Sequence, residues 1–322
     1  MKLVRFTLLM IHIGVVVLLL GCLLNAFVPP KIFGALNFLS LAFPGLMIAH
    51  ILLTFIWIIS WKKRAVFFVL ISVLFFKPVT RWINYSPKVE KQGALKVLTF
   101  NGRNGKFGNQ NIKEYMEKLD ADIVIAQEYT MNESNKQTID YSVVTLKTKH
   151  KILAKGLIDV PSKNSQTFYA DIDYNGKTIR IINVYLEPFY LEKSMVKPTD
   201  NQDVNEQKAK VLISKMIPTF KMHQEQVDEI KKFADQSPYP MIIGGDFNAV
   251  PNSYEYYHIS KGLTDAFEAV GRGSGTSFHD YKIPIRIDYL FSSKTIKPIT
   301  YRVDRSVKIS DHFPVIATFD VE

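Results

Sequence analysis

Several apolar runs in the second part of the chain end at, or enclose, side chains that are costly to bury. The run 95–100 leads into Asn101, the run 122–127 into Glu128, and the run 240–245 into Asp246 and Asn248. The run 177–186 carries Asn183 and Tyr185, Asp288 interrupts the otherwise apolar 285–291, and Asp311-His312 stand just before 314–321. Taken singly these are ordinary residues. Asp and Asn suit turns because their side chains bond nearby backbone N–H groups, Glu128 reads as a surface acid, Asp288 as a partner for Arg286, and Asp311-His312 as a cap. If the runs are strands sharing one edge, however, that edge gathers carboxylates, carboxamides, a phenol and an imidazole. Such a set is expensive to desolvate unless a metal or mutual hydrogen bonds compensate it, so a site is the economical reading.

The elements that must position these residues are strand-rich. Runs at 95–100, 122–127, 167–174, 177–186, 240–245, 285–291 and 314–321 have strand length and composition, and Asn175-Gly176 between two of them is a hairpin turn signal. Helical spacing appears at 111–119 and over 205–235, where Pro218 is expected to break the helix. Strands flanking such helices predict an α+β domain of two packed sheets covered by helices. The segment 186–239 reads as an insertion beside the site, either a lid or a solvated helix pair.

The first 89 residues are of another kind. Of the 40 Lys and Arg, nine fall there, without a single Asp or Glu, so the remaining 31 face all 30 acidic residues. The net charge of +10 thus belongs to the N-terminal segment and does not argue for a nucleic-acid surface on the rest. Residues 6–27 and 32–61 are uncharged, and about 20 apolar residues suffice to cross a bilayer. A third crossing is expected around 62–82, with an apolar centre at 65–76, basic flanks able to snorkel, and Trp61 and Trp82 at the interface. The predicted organisation is a membrane domain over 1–84 with two to three transmembrane helices (about 6–27, 35–60 and 62–82), a linker over 85–94 and a catalytic domain over 95–322. His12, Asn25 and His50 are expected to bond neighbouring helices. Cys22, the single cysteine, rules out an intramolecular disulfide.

The ordered series LTFN (98–101), AQE (126–128), NVYL (183–186), GGDFNAVP (244–251), RIDYLF (286–291) and SDHFPV (310–315) resembles the endonuclease/exonuclease/phosphatase superfamily of metal-dependent phosphoesterases. The resemblance implies a four-layer αββα sandwich with its site at one edge of the paired sheets. It implies Mg²⁺ or Mn²⁺ on Glu128, with Asn101 as a ligand or as hydrogen-bond partner of Asp246, and Asp311 as a further contact to the metal. Asp246 is then the residue that orients or deprotonates water, Asn248 holds the phosphate, and His312, oriented by Asp288, bonds a phosphoryl oxygen. Many members carry Asn-x-His where this chain has Asn183-Val184-Tyr185. The tyrosine is similar to that of abasic-site endonucleases, where the phenol contacts phosphate, and Asn183 is expected to bind phosphate with it. Asp265 in LTDAF is expected to act as a turn or cap, and Lys155 is given no role.

The implied partner is a phosphodiester, either nucleic acid or a lipid head group, together with the bilayer itself; no protein partner is inferable. Endonuclease-like hydrolysis is the leading expectation. Its alternatives are a phospholipid or sphingolipid phosphodiesterase or phosphatase, and a catalytically silent membrane module. Lys2, Arg5 and Lys62-Lys63-Arg64 against Lys31 place the N-terminus inside. Three crossings then put the catalytic domain outside a plasma (inner) membrane, although Lys77, Arg81 and Lys88 oppose that orientation.

Overall fold

A computed structural model describes residues 2–60, 62–91, 93–131, 136–280 and 284–322; Trp61 lies outside them. The N-terminal part is helical: α1 (Lys2–Leu23), α2 (Pro30–Phe33), α3 (Leu36–Ile59), α4 (Arg64–Ser72) and α5 (Phe76–Thr80), the last two joined by a 3-10 turn. Only α1 and α3, among the described residues, are long and apolar enough to cross a membrane singly. The α4–α5 segment returns along them. Phe68 and Ala65 pack with Val16 and Trp57, and further on Phe75 packs with Leu19, Cys22, Phe43 and Met47. The segment therefore runs antiparallel to α3, which leaves Lys62, Lys63 and Arg64 at the end of α1 that bears Lys2 and Arg5. His12, His50, Trp57 and Ser72 form one chain of side-chain bonds across the three legs, each 2.9 Å.

The remainder is the expected α+β sandwich. One six-stranded sheet is ordered β10 (Thr264–Asp265), β12 (Asp288–Ser292), β9 (Met241–Asp246), β8 (Lys177–Tyr185), β7 (Gln166–Tyr174) and β6 (Lys151–Leu157). The other is ordered β13 (Ile296–Val303), β14 (Val315–Val321), β2 (Leu95–Asn101), β3 (Ile123–Gln127), β5 (Val144–Thr148) and β4 (Thr138–Tyr141). Alternate apolar residues of both sheets, among them Val97, Ile125, Phe168, Ile181, Ile242 and Ala317, meet in a fully buried layer. Outside it, α8 (Gln202–Asp235) and α9 (Tyr254–Ser260) cover one sheet, and α6 (Asn109–Leu119) covers the other. Two short helices complete the set, α7 (Lys193–Val196) and α10 (Ala266–Val270).

Two expectations need correcting. Pro218 does not break the long helix, which runs unbroken for 34 residues. Proline removes one backbone bond there, but Val227, Ile230 and Ala234 anchor the following half on the sheet. The linker expected over 85–94 is not a free tether at its start. Residues Ile83–Tyr85 form β1, paired with β11 (Arg272–Ser274), and Asn84 Nδ2 donates to the carbonyls of Phe267 and Glu268. Arg286 pairs not with Asp288 but with Asp265, which also caps α10. The structural role expected of Asp265 is the one it has.

Candidate active site

The sheet topology decides where the polar residues meet. β2 and β3 run parallel, as do β8 and β9, so the carboxyl ends of all four strands lie at the same edge of the sandwich. β12 and β14 run antiparallel to their neighbours and begin at that edge. Asn101, Glu128, Tyr185 and Asp246 therefore arrive at strand ends, and Asp288 and His312 at strand beginnings.

The pair Gly244-Gly245 is required by the way Asp246 is delivered. A Cβ on Gly244 would lie 2.6 Å from the tips of Ile125 and Leu290 in the intersheet layer. Gly245 has φ +143°, and a Cβ there would lie 1.8 Å from the Val184 carbonyl oxygen. Only glycine lets β9 approach β8 this closely while turning Asp246 to the edge. Glu128 and Asn248 both hold a left-handed φ of 45°. For residues other than glycine that conformation is uncommon and concentrates at functional sites.

Two clusters form, joined by Asp246. In the first, Asn101 Nδ2 donates to Glu128 Oε1 at 3.1 Å and to Asp246 Oδ2 at 2.9 Å, while the Tyr185 hydroxyl donates to Glu128 Oε1 at 2.8 Å. Asn101 Oδ1 accepts from the Arg103 N–H, so its oxygen is turned away from the two carboxylates. Asn101 thus stands as hydrogen-bond partner of Asp246, and the ligand role does not fit this orientation. In the second cluster, His312 Nδ1 lies 2.9 Å from Asp288 Oδ2, and its Nε2 lies 3.8 Å from Asp246 Oδ2. Burial raises the Asp246 carboxyl, the His312 charge pulls it back down, and Asp288 adds to the rise. At His312 burial alone would lower the imidazole, but the carboxylates of Asp288 and Asp246 outweigh it and hold the ring well above its usual range, as imidazolium. Burial, with Glu128 and Asp246 adding to it, pushes the Tyr185 phenol up, so it is a neutral donor.

Asn248 folds back on its own turn. Its N–H donates to Asp246 Oδ1 at 2.9 Å and its Nδ2 to the Leu186 carbonyl at 3.0 Å, which leaves the second amide hydrogen toward the cavity it lines. Asp311 also lines the cavity, but its carboxylate is engaged by Arg103 and by the Ser310 hydroxyl. Asn183 is the residue the edge does not receive. It is wholly buried, with Nδ2 donating to the Ala126 and Thr145 carbonyls and Oδ1 accepting from Gln127 Nε2. It ties the two sheets together, and the phosphate contact expected of it does not fit. Arg103, which orders Asn101 and pairs with Asp280 and Asp311, was not singled out in the sequence. Its only signal there is its place two residues after the end of β2.

Comparison with known proteins places this geometry. The endonuclease/exonuclease/phosphatase family matches residues 98–312, two thirds of the chain. The chain belongs to that family. It is accordingly a phosphoric ester hydrolase by family, and a domain of unknown function (DUF8431) matches residues 4–82 ahead of it. Among solved structures, a humanized D. rerio TDP2 carrying 14 mutations superposes with a TM-score of 0.51 at 17% identity, covering 70% of this chain and 98% of that one. D. rerio TDP2 complexed with a single-strand DNA product gives 0.50 at 16% identity, with the same coverage. At such identity the likeness is one of fold. No match was found among curated protein sequences.

The family is divalent-metal dependent, and the donors here are hard oxygens with one imidazole. Among the described residues, Asp246, Asp288 and His312 form a group whose potential ligand atoms all lie within 4.8 Å of one another. His312 meets Asp288 through one oxygen only, the other being buried without a partner, and a protonated imidazole repels a cation. Glu128 and Asp246 converge beside that pair, bridged by a neutral amide and open to a cavity of about 860 Å³, with the imidazolium 3.8 Å from Asp246. That is the setting Mg²⁺ favours, with one or two carboxylates and room for water.

Proposed function

We propose that the chain is a membrane-anchored phosphodiesterase dependent on Mg²⁺ or Mn²⁺. The observation that carries this is the convergence of Glu128 and Asp246 on the single amide of Asn101, beside an imidazolium clamped by Asp288. Glu128, with Asp246 beside it, would hold the ion, which when bound would supply charge neutralisation at a phosphoryl oxygen. Asp246 accepts the proton of the attacking water; a raised carboxyl is a better base than an exposed one. His312 Nε2 and the second hydrogen of the Asn248 amide donate to the non-bridging oxygens, and Asp288 keeps the ring oriented and charged. Tyr185 holds the Glu128 carboxylate in place. The test is hydrolysis of bis(4-nitrophenyl) phosphate by the full chain in Mg²⁺ and in excess chelator. Turnover is expected with the ion and should be lost on chelation and restored by added Mg²⁺ or Mn²⁺; turnover indifferent to chelator removes the metal from the reading.

Membrane anchoring is supported by α1 and α3, and by the ends at which the charges fall. Lys2, Arg5, Lys62, Lys63 and Arg64 lie at the end remote from the sandwich, whereas Lys31, Lys77, Arg81 and Lys88 lie at the near end, with Arg81 buried against Asn252. More basic residues mark the cytoplasmic end, so the sandwich is extracytoplasmic in this reading. A fusion after Glu322 to a phosphatase that is active only outside is expected to be active. An inactive one, together with a cytoplasm-only reporter that works, reverses the orientation.

A further inference from the structure

The wall of the active-site cavity opposite Asp246 and His312 is not made by the sandwich alone. It is built from the first turns of α3 and from the N-terminal half of α8. On α8 the lining residues are Ala209, Leu212, Ile213, Met216 and Phe220, a helical stripe of the kind that normally seeks a core. Here the stripe faces the cavity, while the second half of the helix does the packing on the sheet. On α3 they include Phe38 and Leu41, at the start of a 24-residue apolar helix whose outer face, at Ile48, Ile51, Leu52 and Phe55, is exposed. The cavity wall thus shares a helix with the surface that would face lipid.

The arrangement is fixed by buried polar contacts. Asn37, one residue before Phe38, donates through Nδ2 to both oxygens of Glu255 at 3.0 and 2.9 Å, and Glu255 meets His223 of α8 at 3.1 Å. Asn25, Pro78 and Arg81 all bond Asn252, four residues after Asn248. The rim continues the apolar character, with Ile213 47% exposed.

Resting on the phosphoesterase reading above, we propose that the substrate is a phosphoester of a bilayer lipid. Its apolar chain lies between α3 and the N-terminal half of α8, and its phosphate reaches Asp246 and His312. Hydrolysis adds the water oxygen to phosphorus and breaks one P–O ester bond. The alcohol leaves with the water's proton, and no redox partner is needed. A nucleic-acid strand is disfavoured by the same wall. Among the described lining residues there is no lysine, and the guanidinium of Arg103 is held by Asp280 and Asp311, so successive backbone phosphates would lie uncompensated against Phe38, Leu212 and Met216.

The test uses the full chain in phosphatidylcholine vesicles and a series of 4-nitrophenyl alkyl phosphodiesters from methyl to dodecyl, with plasmid DNA as a separate arm. Each methylene buried in the groove is worth up to about fourfold in kcat/KM. Partition into the vesicle enriches long esters for every variant alike, so the readout is the dodecyl-to-methyl ratio relative to the unaltered chain. Leu212→Asn, and Ala209→Trp at an exposed position of the same stripe, are each expected to lower that ratio at least about tenfold. A ratio unchanged in both variants overturns the proposal, as does DNA cleavage faster than dodecyl ester hydrolysis; either leaves the phosphoesterase reading standing. If no ester of any length is hydrolysed in Mg²⁺, that reading falls and the lipid proposal falls with it.

Discussion

Asp246→Asn is expected to lower turnover of a phosphodiester at least about 10²-fold, the scale of a lost general base. The substitution keeps the shape of a side chain only 1% exposed and removes its ability to take a proton. It also changes the pattern of donors. Asp246 accepts from Asn101 Nδ2 at 2.9 Å and from the Asn248 N–H at 2.9 Å, one on each oxygen. An asparagine can satisfy only one of them, and Asn101 cannot turn to help without losing the Arg103 N–H. His312→Ala should cost a similar factor, because a donor to a developing oxyanion is worth about 10²–10³. Its loss should be retained when a substrate with a better leaving group is used, whereas a pure leaving-group acid would become dispensable. Rates and far-ultraviolet circular dichroism measured on the same preparations decide the matter. Full activity in either variant with an unchanged spectrum removes that residue from the mechanism.

The site was more legible in the sequence than the sheets that carry it. An apolar run that stops at an acid or an amide is a local signal, and six such stops in one order sufficed to bring Asn101, Glu128, Tyr185, Asp246, Asp288 and His312 to one edge. Asn183 misled because position along a strand does not reveal which way a side chain faces; it points between the sheets, toward Gln127 and the Ala126 carbonyl. In the two six-stranded sheets the strands that went unread are β4, β6, β10 and β13, all at sheet edges, and β5 beside one of them; the short pair β1 and β11 also went unread. Edge strands are short or charged. Lys151–Leu157 reads as mixed polarity because it is mostly exposed, and Ile296–Val303 contains Pro298 beside a bulge, which an edge tolerates. The contacts that seat the helices on the sandwich were beyond reach for another reason. Asn37 and Glu255 are 218 residues apart, and a single amide in an apolar helix announces a partner without naming it.

The other large effect concerns the neighbour that does not take part in the chemistry. Arg286 is two residues from Asp288 and wholly buried, with its Nη2 2.6 Å and its Nη1 2.8 Å from the two oxygens of Asp265. The fork geometry commits the guanidinium to Asp265, and that leaves Asp288 to His312 alone. Asp265 has two further donors, the Tyr256 hydroxyl and the Phe267 N–H at the start of α10. Arg286→Met removes the cation from a buried carboxylate and is expected to destabilise the fold by about 3–5 kcal/mol, the scale for breaking a buried pair from one side. Lys113→Met, at an exposed i,i+4 pair with Glu117, is the matched control and should fall within about 0.5 kcal/mol of the unaltered chain. Thermal inactivation of both variants in the same detergent measures the difference. A shift in Arg286→Met no larger than in the control would mean that Tyr256 and the α10 cap satisfy Asp265 unaided. Asp288 would then owe its freedom to face His312 to the turn at Ile287 and Ser277, whose hydroxyl accepts from both backbone N–H groups there.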